Sequence, residues 1–334
     1  IKSSRKISDT LITQNGVKIA PENFKREEPN NRNQLVATLT NEQMKGGLGI
    51  QALDPSAYAW THPEVDHHIG QFTVLNTEGG RYVYGIAAYN TIQKDVSFNV
   101  GQNAINAPNY PHCNDGFVGY SSGDNSIENN LGIDHYFSEE IKPAYSHSFL
   151  LTSVLNADYV DADQIQGPSK GDLGSYLIFD YQKISSYKWR NPEAQDTANY
   201  TQGFQSDILD DKGHYTYGEK ELWYVKEVKS KNHVAVFYTT GRKDAVSVID
   251  ENGGIDSNGA QMQKLDSIKL FTLPDYEANG ANATSLKTVH FRYSYTLCPG
   301  YKNQMNPSEG KLTLDTLFFT YQDSRKGKHS YYLF

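Results

Sequence analysis

The feature that most constrains this chain is a period of two. Residues 71–75, 81–86, 94–100, 220–228, 233–238, 264–271, 287–295 and 311–321 alternate apolar or aromatic side chains with polar ones. Such alternation puts one set of side chains on each face of a pleated strand. No stretch keeps a 3.6-residue period over several turns, so helix is expected in at most about a tenth of the chain. Composition points the same way: 24 Tyr and 14 Phe stand against 3 Met. Tyrosine suits a half-buried sheet, because its ring packs while its hydroxyl reaches water.

Turn chemistry sets the pairing. Asn15-Gly16 separates Leu11-Ile12 from Val17-Lys18-Ile19, the signature of a tight hairpin. Thr77-Glu78-Gly79-Gly80 joins residues 71–75 to 81–86, and Lys229-Ser230-Lys231-Asn232 joins 220–228 to 233–238. Residues 34–39 read as a strand, and 41–45 as one helical turn stopped by Gly46-Gly47. Residues 145–155 fit either a strand or a short helix. Residues 174–181 read as a strand whose partner is 187–190. Residues 101–140 and 156–172 are long irregular loops rich in Asn, Gly, Ser and Asp. The expected fold is mostly β: an antiparallel, curved or stacked sheet built from hairpins. A division is expected between residues 1–140, an N-terminal β region with a long loop insertion, and 141–334, a C-terminal hairpin region.

Several function classes are disfavoured. The net charge is -8, without a basic stripe interleaved with aromatics, so nucleic acid is not an expected partner. No apolar run is long enough for a helix to span a bilayer. There is no Gly-x-Ser-x-Gly elbow and no Gly-Lys-Ser/Thr phosphate loop. Gly46-Gly47-Leu48-Gly49 lacks the strand and helix of a dinucleotide site. Cys113 and Cys298 could form one disulfide or remain two buried thiols. The first residues, Ile1-Lys2-Ser3-Ser4-Arg5-Lys6, contain no signal-peptide apolar core, and His329-Ser330-Tyr331-Tyr332-Leu333-Phe334 reads as the start of a strand. The expectation is a module belonging to a longer polypeptide. Its Asn/Gly/Ser/Tyr texture suggests an extracellular or cell-surface setting.

Three constellations could carry chemistry. Asp158, Asp161, Asp163 and Asp172, with Asn156, Gly167 and Gly171, place oxygen ligands at short spacing in a turning loop, as calcium requires. The spacing is not that of an EF-hand, and the same residues could simply cap turns. His62, Glu64 and His68, with Asp66 and His67 between, could ligate a transition metal, although no established zinc spacing is met and Pro63 argues against a continuous strand. Asp207, Asp210, Asp211, Glu219 and Glu221 could pair as glycosidase carboxylates, with Trp189, Tyr200, Tyr215, Tyr217, Trp223 and Tyr224 to stack on sugar rings. The competing reading is an ordinary sheet surface with cross-strand ion pairs and core aromatics.

Blocks through the chain resemble very large secreted bacterial proteins. They are the segment 210–224 (Asp-Asp-Lys-Gly-His-Tyr-Thr-Tyr-Gly-Glu-Lys-Glu-Leu-Trp-Tyr), Lys287-Thr288-Val289-His290-Phe291-Arg292-Tyr293, Gly310-Lys311-Leu312-Thr313-Leu314, Gly80-Arg81-Tyr82-Val83-Tyr84-Gly85-Ile86 and Asp172-Leu173-Gly174-Ser175-Tyr176. In strand texture they are similar to the Rhs/YD-repeat and SpvB/TcB-like shells of toxin complexes. The YD repeat itself is absent, and Arg81-Tyr82-Val83-Tyr84 echoes it once. The resemblance implies a non-catalytic scaffold or shell segment whose partners are neighbouring segments of the same polypeptide or assembly. The alternatives are a glycan-binding or glycan-degrading domain and a calcium-stabilised adhesion module.

Overall fold

The computed structural model describes residues 12–14, 17–19, 35–49, 65–100, 116–163, 167–201, 210–322 and 324–334. Among the described residues strand accounts for 58% and helix for 7%, so sheet packing, and not a helical layer, builds their core.

The first strands are β1 (Ile12–Gln14), β2 (Val17–Ile19) and β3 (Val36–Thr40), followed by the short helix α1 (Asn41–Lys45). The expected pairing of β1 with β2 is present and antiparallel; Asn15-Gly16 lies outside the described residues. Thr40 accepts from the backbone of Gln43, whose side chain accepts from Thr40 N, a capping box that starts α1. Next come β4 (Ile69–Leu75), β5 (Arg81–Asn99), β6 (Phe117–Gly119), β7 (Phe137–Lys142) and β8 (Tyr145–Leu155). Then follow β9 (Tyr176–Asn191), β10 (Thr197–Thr201), β11 (Lys212–Lys229), β12 (His233–Val246), β13 (Val248–Asp250), β14 (Gly253–Ile255) and β15 (Gln261–Thr272). Helix α2 (Leu273–Asn279), β16 (Lys287–Leu297), β17 (Lys311–Thr320) and β18 (Tyr332–Leu333) follow, with short 3-10 helices at Gly280–Asn282 and Lys326–His329.

Among the described residues, 14 strands join one sheet whose path is β18-β17-β16-β15-β12-β11-β9-β8-β5-β4-β3. The expected hairpins are present: β4 pairs β5, and β11 pairs β12 across residues 230–232. The strand alternative holds for residues 145–155, which form β8. Two expectations are corrected. Residues 94–100 are not a separate strand, because β5 runs unbroken for 19 residues. Residues 174–181 and 187–190 are not partners; they belong to the single 16-residue strand β9, which pairs with β11. Ser186 adopts a left-handed φ of 57° there, and the register shifts opposite it between Lys220 and Leu222. The irregularity at Ser186 interrupts the register of one strand where two partner strands were expected. The division after residue 140 falls inside β7, and strands from both sides of it share the sheet.

The sheet also closes on itself. Residues 81–90 of β5 face 145–155 of β8, and 153–155 of β8 face 176–178 of β9. Residues 178–191 of β9 face 216–229 of β11. Residues 212–220 of β11 return to 90–99 of β5. The circuit β5–β8–β9–β11–β5 has no free edge along its shared length. Its lower end packs on Val96, Phe98, Val118, Tyr120, Tyr215 and Tyr217, all buried. Burial of each large side chain contributes about 1.5–3 kcal/mol. Smaller cores form around Val83, Leu155, Tyr176 and Ile178, and around Val234, Val236, Phe271 and Leu273.

Candidate functional site

Strand β11 changes partner along one of its edges. Residues 212–220 bond to β5 and residues 227–229 to β12. A strand that loses its neighbour leaves backbone groups to satisfy. Glu221 sits at this fork, and its carboxylate accepts from Tyr89 N of β5 at 3.4 Å. The same carboxylate accepts from Trp223 Nε1 at 3.3 Å and pairs with Lys183 Nζ at 2.6 Å. The side chains of Lys183 and Glu221 are 8% and 1% exposed, so the pair is effectively out of water. Lys183 also lies 5.2 Å from the centre of the Trp223 ring. Such a pair must be fully hydrogen-bonded to offset its desolvation.

A cavity of about 320 Å³ opens on the neighbouring face of β9 and β11. Its walls include Tyr187, Trp189, Lys220, Arg242, Asp244 and Tyr301. Strand register builds half of it: Tyr187 opposes Lys220, and Trp189 opposes Gly218. The indole lies against Gly218, where an added Cβ would stand 2.7 Å from Trp189 Cε2. Arg242 is held by Asp244 at 2.9 Å. Burial pushes the Asp244 carboxyl pKa up, but hydrogen bonds from Arg242 and Leu312 N outweigh it and hold the group below its ordinary value. Burial pushes the Tyr187 hydroxyl up to about 12, so it remains a neutral donor.

The acidic loop gives a mixed result. Asp161, Asp163 and Asp172 bring one carboxylate oxygen each within 4.8 Å of one another. Asp158 is not in that group; it accepts from Ser175 N and Ser175 Oγ and closes the loop end. Asp172 is buried, and its carboxylate accepts from the Tyr159 hydroxyl and from Ser169 N and Ala162 N. Burial raises its pKa, but these donors, with the Asp163 amide, hold it below the usual carboxylate range. Four donors fill the roughly four lone-pair positions a carboxylate offers. Calcium needs about six to eight oxygens. Among the described residues only Asp161 and Asp163 stay exposed beside that filled group. The arrangement fits a loop stitched by Asp172 better than a calcium cage.

His62 and Glu64 of the transition-metal constellation lie outside the described residues, as do Cys113 and Asp207. His68 lies in the turn before β4, its ring 4.9 Å from that of His67. Cys298 is exposed and free.

The β11 carboxylates do not converge as acid and base. Asp210 is bound by Lys212 at 2.9 Å, and that hydrogen bond lowers its pKa. Glu219 accepts from the Tyr217 hydroxyl and Ser186 Oγ, both at 2.9 Å. Glu221 belongs to Lys183. Of the six aromatics expected to stack on sugars, Tyr215 and Tyr217 are core residues, and Trp189, Tyr200, Trp223 and Tyr224 are half-buried. They form no exposed row.

Sequence reasoning missed Lys183, Arg190 and Arg242. Buried Arg190 donates to the carbonyls of Glu251 and Thr197 and to the Tyr120 hydroxyl, and its guanidinium lies 4.2 Å from the Tyr215 ring centre. Gly218 was the available signal, because a glycine inside a strand often marks a close approach. No family model, curated protein or solved structure matches this chain.

Proposed function

We propose that this chain is a non-catalytic β-scaffold segment of a large extracellular or cell-surface protein, of the kind its strand texture resembles. Its role is to pair with neighbouring segments of the same polypeptide or assembly. One observation supports this reading: among the described residues, neither end of the main strand path, β3 or β18, contains a charged residue, and apolar side chains are exposed at both, whereas the side-branch edge β7 carries Glu139, Glu140 and Lys142. Strand β3 reads Val-Ala-Thr-Leu-Thr, with Leu35 and Val36 exposed. Strand β18 reads Tyr-Leu, and Tyr331, Tyr332, Leu333 and Phe334 are exposed around it. Edges of sheets that stay single are blunted by lysine, proline or a covering element. An uncharged edge with exposed apolar side chains is a ready template for another strand or surface. The commitment of Asp210, Glu219 and Glu221 to structural partners supports a scaffold over a glycan-cleaving enzyme.

Sedimentation velocity tests the proposal. The isolated protein is expected to associate as its concentration rises, and the Val36→Lys, Leu333→Lys double variant to remain monomeric with unchanged secondary structure. A wild-type monomer at every concentration would overturn the reading.

A further inference from the structure

Lys212 and Asn99 are register partners on the last rung of the β11–β5 ladder, the pairing that closes the sheet on itself. Directly opposed residues of antiparallel strands have Cβ atoms about 4.5–5.5 Å apart, so their side chains can meet. Both are buried: Asn99 is 0% and Lys212 7% exposed. Two carboxylates hold the side chains together. Asn99 Nδ2 donates to Asp134 Oδ1 at 2.9 Å and to Asp210 Oδ1. Lys212 Nζ donates to Asp210 Oδ2 at 2.9 Å, to the Asp210 carbonyl at 3.3 Å and to Asp134 Oδ2 at 3.4 Å. The ammonium and the carboxamide thus share the same two carboxylates, one oxygen of each apiece. Residues 129–134 shut the amide in. Asn129 Nδ2 donates to the Asn99 carbonyl at 2.8 Å, and a Cβ added at Gly132 would overlap the Asn99 carboxamide. Phe98 and Val100, on either side of Asn99 in the chain, are buried as well.

We infer that Lys212 and Asn99 join through an intramolecular isopeptide bond that staples β11 to β5. An amine, a carboxamide and a carboxylate held in one water-poor site are the nucleophile, the electrophile and the proton relay of a transamidation. Asp210 takes a proton from the Lys212 ammonium and frees its lone pair. Nζ attacks Asn99 Cγ, the Nζ–Cγ bond forms and the Cγ–Nδ2 bond breaks. Over the whole step Nζ gives up two protons, both relayed through Asp210 to the departing nitrogen, which leaves as ammonium. Asp210 ends as the carboxylate it began as, and the step needs no oxidant, reductant or cofactor. The Asp134 side chain is 47% exposed and marks the way out to solvent. The product closes the circuit β5–β8–β9–β11–β5 covalently at the rung where β11 returns to β5. The inference is independent of edge pairing, since neither β3 nor β18 contributes a residue to it.

Mass spectrometry of the purified full chain tests it. The intact wild type should weigh about 17 Da less than its sequence, the mass of one ammonia. A succinimide at an Asn-Gly pair loses the same mass, so the tryptic peptides decide. The peptide containing Asn99 and the peptide containing Lys212 should run as one branched species, uncut after Lys212 and resistant to reductant. Lys212→Met and Asp210→Asn should each release the two peptides separately, at full mass. Circular dichroism establishes that each protein is folded. A folded wild type whose chain is cut after Lys212 and whose Asn99 peptide runs alone would overturn the assignment. A link formed undiminished in folded Asp210→Asn would overturn the proton relay on which it is built.

Discussion

Lys183 Nζ stands 2.6 Å from Glu221 Oε1 at the point where β11 exchanges β5 for β12. The pair does more than neutralise itself. The same carboxylate also accepts from Tyr89 N of β5 at 3.4 Å. Glu221 thus closes the fork that lets one strand belong to two parts of the sheet.

Removal of one partner is therefore severe. Glu221→Ala removes the carboxylate that pairs with a buried ammonium and accepts from the Tyr89 amide, and should cost about 3–5 kcal/mol in urea unfolding. The double variant Lys183→Met, Glu221→Gln keeps an acceptor for Tyr89 N and removes both charges. It should be more stable than Glu221→Ala, a difference that a plain large-to-small effect would not produce.

Trp189 and Gly218 form a second tight relationship. A side chain at 218 would meet the indole 2.7 Å from its Cβ. Gly218→Val should destabilise the protein by about 1–3 kcal/mol through overpacking. Trp189→Ala should cost about 3–5 kcal/mol by opening a cavity. Both are read from denaturant midpoints at constant slope.

These sites divide what was legible in the sequence from what was not. Helix α1 was readable because Thr40 and Gln43 cap it locally, and the β11–β12 hairpin because four turn residues separate two alternating runs. Residues 174–181 and 187–190 were read as two partner strands because local alternation breaks between them; the long ladder to β11, distant in sequence, holds them in one strand. Lys183 and Glu221 lie on strands whose register no local pattern fixes. The acidic loop was legible as a cluster, but the donors that fill Asp172 are mostly backbone amides, which carry no residue signature.

Asp172 leads to a third expectation. If its own donors close the loop, Asp172→Asn should lower stability by about 1.5–3 kcal/mol, the scale of hydrogen bonds to a charged group. Chelator or added calcium should leave the wild-type Tm unchanged. A clear rise with calcium would restore a ligand role for Asp161, Asp163 and Asp172.

Stability should fall with acid in two stages. Burial, with Lys220 nearby, lowers the His147 pKa against an opposing bond to the Glu221 backbone; burial, Lys269 and Arg292 lower that of His290. A depressed pKa means that the unfolded chain binds the proton first, so this contribution is complete above about pH 6.5 and declines below it. Asp172, Asp210 and Asp244 are also depressed, so a second loss begins near about pH 4 and deepens as these carboxylates protonate. Tm measured from pH 8 to pH 3 should show both declines, and His147→Asn, His290→Asn should remove the first.

Amide hydrogen exchange at two protein concentrations tests the scaffold account most directly. Edge pairing predicts that residues 36–40 and 332–334 become protected at high concentration, while β9 and β11 are unchanged. Exchange at both margins that is independent of concentration would contradict it.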